Sequence, residues 1–173
     1  LELKQDWSCM YGKLGKGLYR LVKDVNFESD IPIEENDIYV GIKGENIDGN
    51  TFYEEAFSKG ASCCILDNTT NVNIDKYKDK TIILVEDTIK CLQQLAIYKR
   101  SLYNIPVIAI TGSVGKTSTK DIIANVLSQK YKTLKTEGNL NNNIGVPLTI
   151  LNLRNHEALV IEMGMNHLGE ISE

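Results

Sequence analysis

The sequence lacks the features that mark membrane, secreted and nucleic-acid-binding proteins. No apolar run approaches the roughly 18 residues that span a bilayer, and charges interrupt residues 1–23, so we expect neither membrane insertion nor a signal peptide. The four cysteines include no Cys-x-x-Cys pair, which disfavours zinc and favours reduced thiols. A net charge of −4 argues against the basic surface that nucleic acids require. We therefore expect a cytoplasmic, monomeric protein with no nucleic-acid partner.

Apolar segments of strand and helix character alternate along the 173 residues. This alternation predicts an α/β fold with a parallel or mixed sheet. Strands are predicted at 38–43, 63–66, 81–85, 107–111, 133–136 and 158–161. Helices are predicted at about 51–60, 88–102 and 116–129, and Leu14, Leu18, Leu21 and Val22 have weak helical spacing.

Pro106 discourages the predicted helix at 88–102 from continuing and sets the best domain boundary. We predict a small first α/β domain at 1–104. Part of a second domain follows at 105–173, with a phosphate-binding loop and a mostly parallel sheet.

Residues 107–120 carry the strongest functional signal. The apolar strand 107–111, expected to be buried on both faces, runs into Gly-Ser-Val-Gly-Lys-Thr and then a helical segment. Such a strand, glycine turn and helix cradle phosphates with backbone N–H groups and the helix dipole. Lys116 would reach the outer phosphates, and the Thr117 hydroxyl would ligate magnesium. The loop is shorter than the general P-loop, because Ile110 stands where a first glycine is usual.

A carboxylate ends the last predicted strand. Glu162 follows an apolar run, and the carboxyl end of a buried strand is where open α/β sheets bind ligands. In nucleotide enzymes such an acid holds magnesium opposite the loop hydroxyl. A solvent-exposed strand end is the alternative reading. His167, in a glycine-containing loop, is a weaker candidate.

Four stretches resemble the Mur ligases, ATP-dependent amide-forming enzymes of peptidoglycan precursor synthesis. They are 111–120, 136–149 (Thr-Glu-Gly-Asn-Leu-Asn-Asn-Asn-Ile-Gly-Val-Pro-Leu-Thr), 160–171 (Val-Ile-Glu-Met-Gly-Met-Asn-His-Leu-Gly-Glu-Ile) and 37–52. The second and third are most similar to the branch that adds D-alanyl-D-alanine (D-Ala-D-Ala). The resemblance implies that ATP and Mg²⁺ are used to phosphorylate the carboxylate of a UDP-muramoyl-tripeptide. The amine of D-Ala-D-Ala would then attack the acyl phosphate.

The resemblance also implies roles for individual residues. Lys116 and Glu162 would be catalytic, and the nucleotide would contact Gly112, Ser113, Val114, Gly115, Lys116, Thr117, Ser118 and Asn143. The metal would be held by Thr117 and Glu162, with His167 near a second metal position. The first domain would bind the UDP-substrate, at Ser29, Asp30, Gly44, Asp48 and Asn50.

The first domain departs from the family pattern. The family usually has Asp-Ser-Arg where this chain reads Ser29-Asp30-Ile31, and a histidine where it has Asn50. A diverged ligase with another acceptor therefore stays open. So do a folylpolyglutamate-synthase-like or cyanophycin-synthetase-like ligase, and a non-catalytic ATP-binding module. The family needs further domains beyond residue 173, so the resemblance implies an N-terminal fragment that is inactive alone.

Overall fold

The computed structural model describes residues 20–22, 37–44, 47–68, 72–77 and 79–164. Chain contacts divide the molecule into two compact units, Leu1–Thr88 and Ile89–Glu173. Each unit is built on its own parallel β-sheet, which confirms the α/β fold class. The predicted functional boundary at 104/105 remains a prediction.

The described residues of the first unit form a parallel sheet of four strands. Its strands, in spatial as well as chain order, are β1 (Arg20–Val22), β2 (Asp37–Val40), β3 (Cys63–Leu66) and β4 (Thr81–Leu84). A 3-10 turn (Gly49–Phe52) and helix α1 (Tyr53–Ser58) connect β2 to β3. All four β3 residues are buried, because β3 pairs on both sides and α1 contributes to the core beside it.

The second unit holds three parallel strands in the order β5-β7-β6. Its elements in chain order are α2 (Thr88–Ser101), β5 (Val107–Ile110), α3 (Lys116–Leu127), β6 (Thr133–Lys135), α4 (Gly145–Leu151) and β7 (Ala158–Glu162). Central β7 is buried along its whole length. The core beside it contains Leu153, Leu159 and Ile161.

Three local predictions were wrong. The helical spacing at Leu21 and Val22 belongs to strand β1, where glycines nearby had already weakened the helix prediction. The helix cap expected at Asn50 or Thr51 is not there: Asp48 caps the 3-10 turn, where its carboxylate accepts the backbone N–H of Asn50, and α1 begins after that turn at Tyr53. Strand β5 is not buried on both faces: Val107 is 38% exposed. The physical reason is that, among the described strands, β5 pairs only with β7.

Candidate functional site

The predicted phosphate loop lies between the carboxyl end of β5 and the first residue of α3. Gly112 has φ 145° and Gly115, which precedes the helix, has φ 77°, a region that favours glycine. Ser113 and Val114 lie between them and are exposed. The two glycines thus allow the tight turn that leads from β5 into α3, and the N-terminus of a helix after such a turn is suited to bind an anion.

Lys116 is the first residue of α3 and folds back over the loop. Its Nζ donates a hydrogen bond of 2.7 Å to the Gly112 carbonyl, and the residue is half-buried. Thr117 and Ser118 follow on the first turn and are exposed. The structure therefore brings the predicted lysine and hydroxyls together at one end of one helix.

Glu162 ends β7 directly beside the phosphate-loop strand. It pairs in register with Ile110, the last residue of β5, and it is only 2% exposed. Its backbone N–H donates to Oγ1 of buried Thr136 at 2.9 Å. This burial excludes the alternative interpretation of Glu162 as a solvent-exposed acid at a strand end.

The two carboxylate oxygens of Glu162 have different environments. Oε1 accepts a hydrogen bond of 2.8 Å from Nδ2 of Asn141. Oε2 is buried and has no hydrogen-bond partner among the residues that the structure describes. An unpaired buried carboxylate oxygen is costly, and a hard divalent cation is a ligand that would satisfy it.

The asparagine-rich loop before α4 is ordered by its own side chains. Oδ1 of Asn142 accepts the backbone N–H groups of Ile144 (3.2 Å) and Gly145 (2.8 Å). Asn143 is exposed, and its carbonyl accepts Nε2 of Gln93 at 3.5 Å. The side chain predicted to contact nucleotide, Asn143, is thus on the surface of the second unit.

An apolar cleft of about 260 Å³ adjoins this loop within the second unit. Its lining residues come from α2, the asparagine loop, α4 and the segment after β7, and include Ala96, Val146, Ile150 and Met163. Asn141 and Gly164 also line it, so the cleft reaches the residues that surround Glu162. The site therefore combines an anion-binding loop, an acid and an apolar recess.

Two site residues escaped the sequence analysis. Asn141 holds the Glu162 carboxylate, and its own carbonyl accepts the Gly164 N–H at 2.6 Å. Thr136 holds the backbone of Glu162. Asn141 belongs to a run of three asparagines, and the sequence alone does not show which of them contacts Glu162. Thr136 was indistinguishable from any strand-end threonine.

The predicted substrate residues of the first unit make internal contacts. Nδ2 of Asn50 donates to Oδ1 of Asp48 (2.7 Å) and of Asp67 (2.8 Å). Its Oδ1 accepts the backbone N–H groups of Asp67 (3.0 Å) and Asn68 (3.4 Å). These four bonds use the full capacity of the amide. Gly44, whose N–H donates to the Ile47 carbonyl at 2.8 Å, belongs to an exposed turn.

A cleft of about 450 Å³ lies beside these residues in the first unit. Asp48, Glu54 and Glu55 are among its lining residues, and none of the described lining residues is a lysine or arginine. Lys76 reaches Glu54 at 2.9 Å and holds the pKa of that carboxyl below its ordinary value. The described part of this cleft is thus acidic.

Three predicted site residues, Ser29, Asp30 and His167, lie outside the described residues. Among the residues that are described, no three His, Cys, Asp or Glu side chains come together as a metal-binding group. Within the same residues, no helix has the length and apolar character to cross a membrane.

Comparison with known proteins identifies the class. Residues 110–173, which contain the loop, the asparagine run and Glu162, match the Mur ligase middle domain. This part of the chain is thus similar to the middle domain of the Mur ligases.

Within that family, the chain is similar to UDP-N-acetylmuramoyl-tripeptide–D-alanyl-D-alanine ligases. It is 42% identical to the Bacillus subtilis enzyme over 140 residues, which cover 80% of this chain and 30% of the relative. It is 39% identical to the Escherichia coli enzyme over 136 residues, which cover 78% of this chain and 29% of the relative. The chain thus spans about a third of the length of the curated relatives it matches.

Solved structures give the same relationship. MurF from Acinetobacter baumannii superimposes with a TM-score of 0.76 at 36% identity, over 88% of this chain and 32% of that structure. MurF ligase from Thermotoga maritima in complex with ADP gives a TM-score of 0.75 at 37% identity, over 89% and 34%.

Proposed function

We propose that this chain is part of an ATP-dependent ligase that adds D-Ala-D-Ala to a UDP-N-acetylmuramoyl-tripeptide through an acyl phosphate. One observation supports the proposal most directly. The glycine loop follows β5, and the paired strand β7 ends in a buried carboxylate with one oxygen that has no hydrogen-bond partner among the described residues. The names of the relatives support the substrates. In this proposal residues 1–104 contribute to UDP-substrate binding and residues 105–173 bind ATP.

The loop would hold the ATP phosphates. The backbone of Gly112 to Gly115 and the N-terminus of α3 supply N–H groups and a positive dipole end, and Ser113, Val114 and Ser118 would lie beside the nucleotide. Lys116 would exchange its bond with the Gly112 carbonyl for an outer phosphate oxygen. These groups neutralise and orient the phosphates, which is the main requirement of phosphoryl transfer. Asn143 would contact the nucleotide from the asparagine loop.

Glu162 and the Thr117 hydroxyl would hold Mg²⁺. The unpartnered Oε2 of Glu162 fits this role, because magnesium binds few protein oxygens and takes its other ligands from phosphates and water. When bound, the ion would neutralise charge on the transferring phosphate. His167 would lie near a second metal position.

The carboxylate of the tripeptide would then accept the phosphoryl group, and the amine of D-Ala-D-Ala would displace phosphate from the resulting acyl phosphate. Among the described residues the site offers positioning and charge neutralisation, through Lys116 and the α3 N-terminus. Binding of the UDP-substrate is proposed at Ser29, Asp30, Gly44, Asp48 and Asn50. We also propose a cytoplasmic monomer.

A ligase with another acceptor is the second candidate. Two features of the first unit favour it. The side chain of Asn50 makes its hydrogen bonds to neighbouring residues of the protein, and the described lining of the cleft is acidic. A UDP diphosphate is anionic and would gain nothing from those carboxylates.

Phosphate release from ATP by the full-length protein tests both candidates. The assay is run with and without UDP-muramoyl-tripeptide, each with and without D-Ala-D-Ala. Release that requires both substrates is the expected result. If the protein binds ATP but neither substrate stimulates phosphate release, the proposed substrates are wrong and the second candidate is favoured.

A further inference from the structure

Lys120 is a buried cation that the proposed function does not use. It lies one turn after Lys116 on the inner face of α3 and is 3% exposed, like Ala124 one turn later at 2%. Lysine is rarely buried to this degree without a partner of opposite charge. The position of this side chain therefore requires a reason.

The Lys120 side chain is linked through Asp121 to Lys135, the last residue of β6. Helical side chains lean toward the N-terminus of their helix, which in α3 is the phosphate loop. Nζ lies 3.5 Å from Oδ1 of Asp121, the same oxygen that accepts Nζ of Lys135 at 2.7 Å. Lys135 ends β6, and the next residue, Thr136, holds Glu162. The ammonium of Lys120 and that of Lys135, the last residue of β6, thus share one carboxylate oxygen.

The charge of Lys120 is poorly balanced. An ammonium group has three N–H donors, and among the described residues its one partner is Asp121 at 3.5 Å. Asp121 is itself 42% exposed, and Lys135 is its closer partner. The hydrogen bond from Lys135 is also the main cause that lowers the pKa of Asp121, with Lys120 a smaller one.

Glu162 does not balance Lys120. Oε1 of Glu162 is bonded to Asn141, and Oε2 has no partner within the described part of the chain. Among the described residues, Lys120 and Glu162 are thus two buried groups of opposite charge type that do not pair with each other. Each is stabilised if a ligand brings the opposite charge: a cation at Glu162, an anion at Lys120.

We propose that Lys120 is a second anion-binding residue of this site, which contacts an anionic oxygen of the reacting groups. That oxygen belongs either to the terminal phosphate of the nucleotide or to the carboxylate that receives it. This inference rests on the proposed function and adds a binding residue to it.

The test compares Lys120→Met with Lys130→Met in the full-length protein. Methionine keeps much of the buried aliphatic length and removes the charge. Lys130 is exposed just beyond α3, with its Nζ 5.3 Å from the centre of the Tyr131 ring, so its variant controls for the loss of one charge. Lys120→Arg restores the charge. Four proteins are compared: the wild type, Lys120→Met, Lys120→Arg and Lys130→Met. For each we would measure the dissociation constants of Mg-ATP and AMP, the KM of the acid substrate (UDP-muramoyl-tripeptide) and the melting temperature.

We expect Lys120→Met to weaken the binding of either Mg-ATP or the carboxylate substrate by about 10-fold or more, as for the loss of a charged hydrogen bond. Lys120→Arg should restore this binding at least in part. Weaker Mg-ATP binding with unchanged AMP binding identifies the phosphate. A raised KM for the acid substrate with unchanged Mg-ATP binding identifies the carboxylate. Values within about twofold of Lys130→Met for both ligands overturn the inference.

Three further results are distinguishable. If Lys120→Met does not fold, Lys120→Gln replaces it and the same measurements are compared with those of Lys130→Met. If the wild-type protein binds no ATP, the proposed function fails. If the wild type binds ATP and ligates while the Lys120 variants match the control, only this inference fails.

Discussion

The side-chain amide of Asn141 donates a hydrogen bond of 2.8 Å to Oε1 of Glu162 and thereby fixes the direction in which the carboxylate presents Oε2. The main chain of Asn141 is held as well, because its carbonyl accepts the Gly164 N–H at 2.6 Å. Asn141 is thus bonded to residues on both sides of Met163, and the orientation of the acid depends on the asparagine loop.

Replacing Asn141 by alanine should weaken Mg²⁺ binding more than nucleotide binding. Loss of a residue that orients a metal ligand costs about 10- to 100-fold in metal affinity. The measurement is the Mg²⁺ concentration dependence of phosphate release in the full-length protein, at saturating ATP. Asn139→Ala, an exposed change in the same loop, is the control. Equal Mg²⁺ dependence in the two variants would contradict the positioning role.

Lys116→Ala should strongly lower the affinity for ATP while the fold is retained. Among the described residues the side chain bonds only a loop carbonyl, and alanine is well tolerated at the start of a helix. Loss of the charged contact predicts an affinity lower by about 10- to 100-fold. Calorimetric titration with Mg-ATP measures it, with Lys130→Ala as the matched exposed variant. Unchanged affinity would refute the phosphate-loop assignment.

Gly145→Ala should destabilise the second unit. A Cβ at this buried position would lie 2.4 Å from the carbonyl carbon of Leu140, so the asparagine loop would have to move. We expect a loss of about 1–3 kcal/mol in the free energy of unfolding, measured by denaturant titration. Gly138→Asn is the control, since φ is 52° there and nothing lies within 4 Å of its Cβ. A Gly145→Ala protein as stable as this control would show that the loop shifts freely.

The stability should fall as the pH is lowered through the range in which His156 titrates. Burial lowers the pKa of His156, and Lys132 and Arg154 add to the effect. The unfolded chain then binds the proton more readily, so the contribution is complete above the unfolded pKa of 6.5 and is lost as the pH falls through the folded pKa.

The free energy of unfolding at about pH 7.5 and 5.5, on either side of the ordinary histidine pKa, measures this effect. His156→Asn keeps an acceptor for the Arg154 N–H, which is 3.1 Å from Nδ1. The variant should show a smaller loss between the two pH values. An equal loss would assign the pH dependence to other groups.

The sequence predicted the elements whose signals are local. Strand β3 was predicted with its observed bounds, because four buried residues and flanking turn formers define it. The glycine loop was placed correctly before α3 by its spacing. Helix α4 was not predicted, because the polar run that precedes it and Pro147 both suggested a loop, although proline is tolerated in a first helical turn.

The parts that depend on tertiary structure could not be predicted. Burial of β5 depends on which strands pair with it, and its apolar sequence does not contain that information. Asn141 acquires its role from a contact with Glu162, which is distant in the chain. The internal hydrogen bonds of Asn50 likewise require Asp67 to lie alongside. In each case a partner from another element decides the function of the residue.

The strand order β5-β7-β6 also has a consequence for how the protein folds. Strands β5 and β6 do not pair with each other, and both pair with β7, the last of the three in the chain: Val107 with Leu159, and Thr133 with Ala158. During synthesis the glycine loop and α3 therefore leave the ribosome before the strand that joins β5 to β6. The nucleotide site is completed in one late, long-range step, which is the kind of contact that slows folding.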